Sequence, residues 1–327
     1  MSYDISWCRV CDSGSLEDDP HITACEECNL VFHLHCAINE DSAEENESGE
    51  VNSGHCPRCN GDYIAPEDKG RYEGIVAALS GGELELDFLK ELSDEIAETL
   101  SKQQGGLISL SGLSALSDTA AQSLCKYQGD LYLKGLRNLT GSLTQILALH
   151  QGFMELGITE LKDSDAEVLS RHKGGLMLNG IAMLNDTIAE QLSHLQGELY
   201  LEGVSELSNS VAESLAKHQG GVLSLRSVAD ISNAAAESLS RYRGTLVLSG
   251  LTEISIDAAE SFSKHQGMLS LEGLMEISNE AAESLSRHQG KLYLGGLSGL
   301  SDEARKMLSA NPDIELPTEA EEQPDED

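Results

Sequence analysis

Aromatic side chains make up only 4% of the 327 residues, and a single tryptophan is present. Basic side chains are scarce as well. Twenty-one Lys and Arg stand against 56 Asp and Glu, a formal net charge of −35 at pH 7. Binding a nucleic-acid backbone replaces counterions with Lys and Arg, so this balance argues against a nucleic-acid partner. It argues equally against docking on an anionic membrane. No apolar run approaches the roughly 20 residues of a membrane span. Met1 to Val10 shows no basic end followed by an apolar stretch. No secretory signal is read there, and the chain is expected to be intracellular and cytoplasmic, with the nucleus open to it in a eukaryote. A glycine-rich phosphate loop, a nucleophile elbow and a set-apart acid pair are all missing, so the expectation is a chain that is not an enzyme. Aliphatic residues are nevertheless plentiful, which excludes a disordered acidic chain. A surface this negative attracts a basic protein or peptide partner.

What is present is unevenly spread. Residues 1–62 hold 14 acids and 2 bases, and residues 313–327 hold 8 acids and no base. Seven of the eight cysteines lie between Cys8 and Cys59, leaving Cys125 alone in the remainder. The chain therefore divides into a cysteine-rich head (1–62), a linker or N-terminal cap (63–80), a leucine-rich body (81–310) and an acidic tail (311–327), expected to be disordered.

The head carries four pairs: Cys8-x2-Cys11, Cys25-x2-Cys28, His33-x2-Cys36 and Cys56-x2-Cys59. A CxxC turn lets two thiolates reach one ion, and four such ligands close a tetrahedral zinc site. Eight ligands make two closed, structural sites with no position left for a catalytic water. Disulfides are the competing reading. A pair completed by histidine and a reducing compartment both favour metal. A head of this size has little core of its own, so two zinc ions are expected to supply much of its folding energy. His35 also neighbours Cys36 and competes with His33 for the histidine position.

At these residues the head resembles a PHD finger. Phe32-His33-Leu34-His35-Cys36 is similar to that family's Phe-His-x-x-Cys segment, and Cys56-Pro57-Arg58-Cys59 matches its closing pair. The resemblance implies a cross-brace, with Cys8, Cys11, His33 and Cys36 on one zinc and Cys25, Cys28, Cys56 and Cys59 on the other. Two departures stand out. Gly54 occupies the place of the family's tryptophan, and no aromatic lies between Cys11 and Cys25 to build a methyl-lysine cage. The resemblance raises a histone-tail reader as one alternative function. The related RING fingers raise another, a ubiquitin-ligase-like factor whose finger recruits a conjugating enzyme while the body holds substrate. Residues 40–50, rich in acids, read as a mobile insert.

The body repeats. Gly81, Gly105, Gly129, Gly152, Gly174, Gly197, Gly220, Gly244, Gly267 and Gly290 are spaced by 22 to 24 residues. A fixed period in this range marks a repeat array, here of about ten units. Each unit opens with an alternating segment such as Leu199-Tyr200-Leu201, which reads as a short strand. A helical segment follows. In one such segment Ser208 or Asn209 is placed to cap, Val211, Leu215 and His218 mark one face, and Gly220 is expected to end the helix in a left-handed conformation.

Leu131-x-Leu133-x-Gly135-Leu136 resembles a leucine-rich repeat, most like the cysteine-containing subclass, with leucine or valine (Leu136, Val204, Leu251) in the place of its cysteine. The expected fold is thus a small zinc-stabilised finger followed by an α/β leucine-rich-repeat-type solenoid with a short parallel strand and a helix per unit. The resemblance implies a non-catalytic scaffold or adaptor that binds protein partners through a concave strand face. The residue between the two leucines of each strand points away from the core. Of the column so formed, Tyr132, Met177, Tyr200, Val247 and Tyr293 are the candidate partner-binding residues. Tyrosine and methionine are enriched at interfaces, while a strand surface filled by residues of high β-propensity is the plainer account. A second column at the helix ends, with His150, His172, His218, His265 and His288 among Tyr127, Leu195 and Tyr242, reads as a repeated packing position rather than a metal ladder.

Overall fold

A computed structural model describes residues 83–317, apart from 88 and 104, together with four short strands nearer the N-terminus. Those strands are β1 (Ile22–Ala24), β2 (Val31–His33), β3 (Ala43–Glu45) and β4 (Val51–Gly54). β1 pairs antiparallel with β2, placing Ile22 opposite His33. β3, inside the acidic stretch read as a mobile insert, pairs antiparallel with β4.

The body follows its period. In the unit that ends at Gly157, strands β5 (Glu83–Glu85), β6 (Leu107–Ser109), β7 (Asp130–Leu133) and β8 (Met154–Leu156) alternate with helices α1 (Asp94–Ser101), α2 (Asp118–Leu124) and α3 (Gly141–Leu147). Consecutive strands pair parallel, in register. In the unit that begins at Ile158, helices α4 (Asp163–Leu169), α5 (Asp186–Ser193), α6 (Asn209–Leu215), α7 (Asn233–Leu239), α8 (Ile256–Phe262), α9 (Asn279–Leu285) and α10 (Asp302–Ser309) alternate with strands. These strands are β9 (Leu176–Met177), β10 (Leu199–Tyr200), β11 (Val222–Ser224), β12 (Thr245–Val247), β13 (Leu269–Ser270), β14 (Leu292–Tyr293) and β15 (Ile314–Glu315), again parallel and in register. This is a leucine-rich-repeat-type array of ten strand-and-helix repeats. Past residue 310, where the acidic tail was expected to begin, the chain adds the further strand β15. Ile314 buries its side chain beside Leu292, and so completes the last leucine layer.

Each helix spans seven or eight residues, too short to persist alone. Packing and capping hold it. In α8, Ala258, Ala259 and Phe262 are fully buried, and the alanines let neighbouring helices approach. Ser255 caps α8 by accepting from the Ala258 N–H at 3.0 Å. Ser, Thr or Asn does the same for every described helix except α4, whose cap residue Lys162 makes no side-chain bond.

These caps also link repeats. Ser232 Oγ donates to Asn209 at 2.5 Å, Ser255 Oγ to Asn233 at 2.6 Å and Ser301 Oγ to Asn279 at 2.7 Å. Asn233 in turn donates to Asp257 at 2.9 Å. A polar line thus runs from one helix start to the next.

At Gly220 the glycine has a different cause from the one expected, although Gly105 of the same series is left-handed, with φ +67°. Gly220 does not adopt a left-handed conformation; α6 already ends at Leu215 with Ala216 in an ordinary helical conformation. A Cβ at Gly220 would lie 1.9 Å from the Gly197 carbonyl oxygen, so the position is glycine because two backbones touch there.

Candidate interaction surface

The strand registers build the expected column. Met177 lies beside Tyr200, Tyr200 beside Ser224, Ser224 beside Val247, Val247 beside Ser270, and Ser270 beside Tyr293. In the preceding unit Ser109 lies beside Tyr132, and Tyr132 beside Glu155. The leucines on either side are fully buried, whereas Tyr132, Met177, Tyr200, Val247 and Tyr293 are half-buried. All five candidate residues therefore stand on the strand face away from the leucine core. Met177 and Tyr200 are on adjacent strands, about 4.8 Å apart, whereas one strand intervenes between Tyr200 and Val247 and another between Val247 and Tyr293.

This face is more polar and more organised than the column alone suggests. The residues two positions further along the strands stand on the same side. Ser109 Oγ donates to Asp87 Oδ1 at 2.6 Å, and the Ser111 N–H donates to the same oxygen at 2.7 Å. Ser224 Oγ donates to Glu202 at 3.3 Å, and Arg226 Nε lies 3.7 Å from that carboxylate. Ser270 Oγ donates to Glu272 Oε2 at 3.0 Å. Tyr200 donates its hydroxyl to Glu198 at 2.8 Å. Tyr132 packs against Phe153 with ring centroids 5.8 Å apart, and Lys134 Nζ stands 5.7 Å from the Tyr132 centroid. The same Nζ lies 3.4 Å from Glu155, a carboxylate that is only 4% exposed. Alternation read to i+2 would have found Lys134, Glu202, Arg226 and Glu272; reading only the residue between the leucines misses them.

The helix-end column is a packing device with a polar edge. Tyr127, His150, His172, Leu195, His218, Tyr242, His265 and His288 are all buried. His218, Tyr242, His265 and His288 stack in sequence at 5.9, 6.3 and 6.0 Å between ring centroids. Tyr242 donates its hydroxyl to the Gly220 carbonyl at 2.7 Å, and Tyr127 does the same to Gly105. His265 Nε2 faces the Gly244 carbonyl at 3.1 Å, and His288 Nε2 faces that of Gly267 at 3.2 Å. Tyr127, Tyr242, His265 and His288 thus serve the glycine seam one repeat earlier. Asn311 takes the next place, donating to the carbonyls of Ser286 and His288 at 3.0 and 2.9 Å. Burial holds His218 and His265 below the usual imidazole range, and it raises the Tyr242 phenol, with Glu198 adding to that rise. These are neutral packing residues.

Cys125 is half-buried against α3, where its thiol donates to the Ile146 carbonyl at 3.2 Å; desolvation pushes that thiol up to about 11. A thiol so raised is a poor nucleophile. Among the described residues no three His, Cys, Asp or Glu side chains are grouped to hold a metal ion. Of the candidate zinc ligands, Cys8, Cys11, Cys25, Cys28, Cys36, Cys56 and Cys59 lie outside the described residues, and His33 is described only as backbone in β2. No helix among the described residues is long and apolar enough to cross a membrane.

No protein-family model matches the chain, and neither does any curated protein. Among solved structures, the chain is similar to a leucine-rich repeat protein of Leptospira interrogans, at 16% identity over 71% of this chain and 67% of that one, with a TM-score of 0.41. It is similar also to an internalin of Listeria monocytogenes, at 14% identity over 81% of this chain and 92% of that one, with a TM-score of 0.35.

Proposed function

We propose that this chain is a non-catalytic scaffold or adaptor that holds protein partners through the outer strand face of its repeats and through its cysteine-rich head. One observation carries the reading: Met177, Tyr200, Val247 and Tyr293 stand half-buried in a single register column, over leucines that are already fully buried. The leucines beneath already close the core, so these larger side chains are left to offer contact area outward. Tyrosine does this at low entropic cost. In the head, two structural zinc ions are held by Cys8, Cys11, Cys25, Cys28, His33, Cys36, Cys56 and Cys59; the paired CxxC spacing supports this.

Affinity capture with three baits tests the scaffold reading: the wild type, a Tyr132, Tyr200, Tyr293→Ala variant and a Cys25, Cys28→Ser variant. Loss of a defined partner with the tyrosine variant alone, at unchanged circular dichroism, assigns recognition to the repeats. Loss with the cysteine variant alone assigns it to the head. Equal capture by all three sinks the assignment. Metal content of the purified chain tests the head, with two zinc ions per chain expected and fewer than one in the cysteine variant.

A further inference from the structure

Three tyrosines stand on the outer strand face, and each has a carboxylate nearby. At Tyr132 the carboxylate is Glu155, its partner in strand register. The chain supplies its own cation there: Lys134, two residues on, reaches both the ring (5.7 Å) and Glu155 (3.4 Å). At Tyr200 the carboxylate two residues on is Glu202, and again the chain supplies a cation, Arg226 at 3.7 Å.

Tyr293 repeats the first arrangement with one change. Its register partner is Glu315, as Glu155 is to Tyr132. Two residues on, where Tyr132 has Lys134, stands Gly295. Space is open at this glycine: a Cβ there would meet only Glu272 Oε1, at 4.0 Å. Glu272 and Glu315 are both exposed, and among the described residues neither meets a cation. Residues 316–327 add six acids and no base. Lys291, just before the strand that carries Tyr293, is paired with Asp313 at 3.4 Å. An aromatic ring with a carboxylate on either flank is a receptor for an ammonium or guanidinium group, which gains from the ring face within about 6 Å and from charge-assisted hydrogen bonds.

We infer that Tyr293, Glu272 and Glu315, around the opening left by Gly295, form a subsite for a lysine or arginine side chain of an extended peptide segment of the partner. The partner's cation takes the place that Lys134 holds beside Tyr132. This rests on the strand-face reading of the proposed function and names the chemistry that the face selects.

The test uses the full chain and an octalysine peptide, with the fully acetylated peptide as reference, in titration calorimetry at low salt. Gly295→Lys supplies the chain's own cation and is expected to weaken octalysine binding about tenfold, as is Glu315→Gln, the scale of one cation–π or charged contact. Glu280→Gln, an exposed change on α9, shifts net charge by the same amount as either variant and is expected to bind within about twofold of wild type, since distant surface charges are screened. Wild-type binding no tighter than that of the acetylated peptide overturns the subsite. Equal weakening by Glu280→Gln overturns it too, because general attraction to an acidic chain then accounts for the binding. Partner capture by the tyrosine variant is a separate readout, so the strand-face reading stands or falls independently.

Discussion

His265 and His288 stack with ring centroids 6.0 Å apart and planes 15° from parallel, each facing the carbonyl of a glycine one repeat earlier. A proton added to either ring brings charge into a buried stack. His265 feels its neighbour as well as its burial, and both hold it below the usual imidazole range. Stacked on it are the Tyr242 and His288 rings of the adjoining repeats, the Gly244 carbonyl faces its Nε2, and Glu260, Lys264 and Arg287 line the surface pocket that it borders. The unfolded chain binds protons more readily than the folded one wherever an imidazole is depressed in this way. The stability from neutral His218 and His265 is therefore complete above the unfolded value of about pH 6.5, and it is lost progressively as pH falls below that toward and through the lowered value of the folded state. Urea midpoints at pH 7.5 and pH 5.5 should show the drop. A His218, His265→Tyr variant should show a smaller one.

The tyrosines of the same column act through their hydroxyls. Tyr242→Phe leaves the Gly220 carbonyl without its 2.7 Å donor while preserving the ring stack. The expected cost is about 1–3 kcal/mol, the range for a buried group left unpaired, read as a lower urea midpoint at unchanged slope.

Helix caps offer a gain as well as a loss. Ser255→Ala removes both the α8 cap and the bond to Asn233, for an expected cost of about 1–2 kcal/mol. Lys162 begins α4 in an extended conformation without a cap bond, so Lys162→Ser is expected to stabilise by about 1 kcal/mol. Thermal unfolding of the two variants should move in opposite directions.

On the strand face, Lys134→Ala removes the lysine from a glutamate that is only 4% exposed, whereas Lys264→Ala breaks an exposed i,i+4 pair with Glu260 at 3.0 Å. The first should cost about 1–3 kcal/mol and the second under about 0.5 kcal/mol. Comparable midpoints for both would sink the claim that Glu155 depends on its lysine.

Much of the array was legible because one pattern is written ten times. Alternating aliphatic residues place the strands, a capping residue followed by a helical apolar face places the helices, and the glycine period joins them. Three things were not. The reason for Gly220 was misread, since a close approach between two backbones leaves the same residue type as a left-handed turn does. The end of the array was set short at residue 310, because Ile314 alone carries the apolar signal of a two-residue strand. Lys134 and Glu272 were missed because the alternation was read only to the residue between the leucines and not two positions further, and Glu315 because its strand was not expected at all.

The glycine seam, the cap line and the strand ladder of the unit from Ile158 onward all cross the same repeat junctions. A pulling force applied at the C-terminal end loads all three at one junction, and the next junction is loaded only after the first has torn. Rupture is therefore stepwise, a peel rather than a shear. With glycines 23 residues apart in that region, each step frees about 80 Å of slack at the extended length of a polypeptide. Mechanically, the chain is a tape that gives way one repeat at a time.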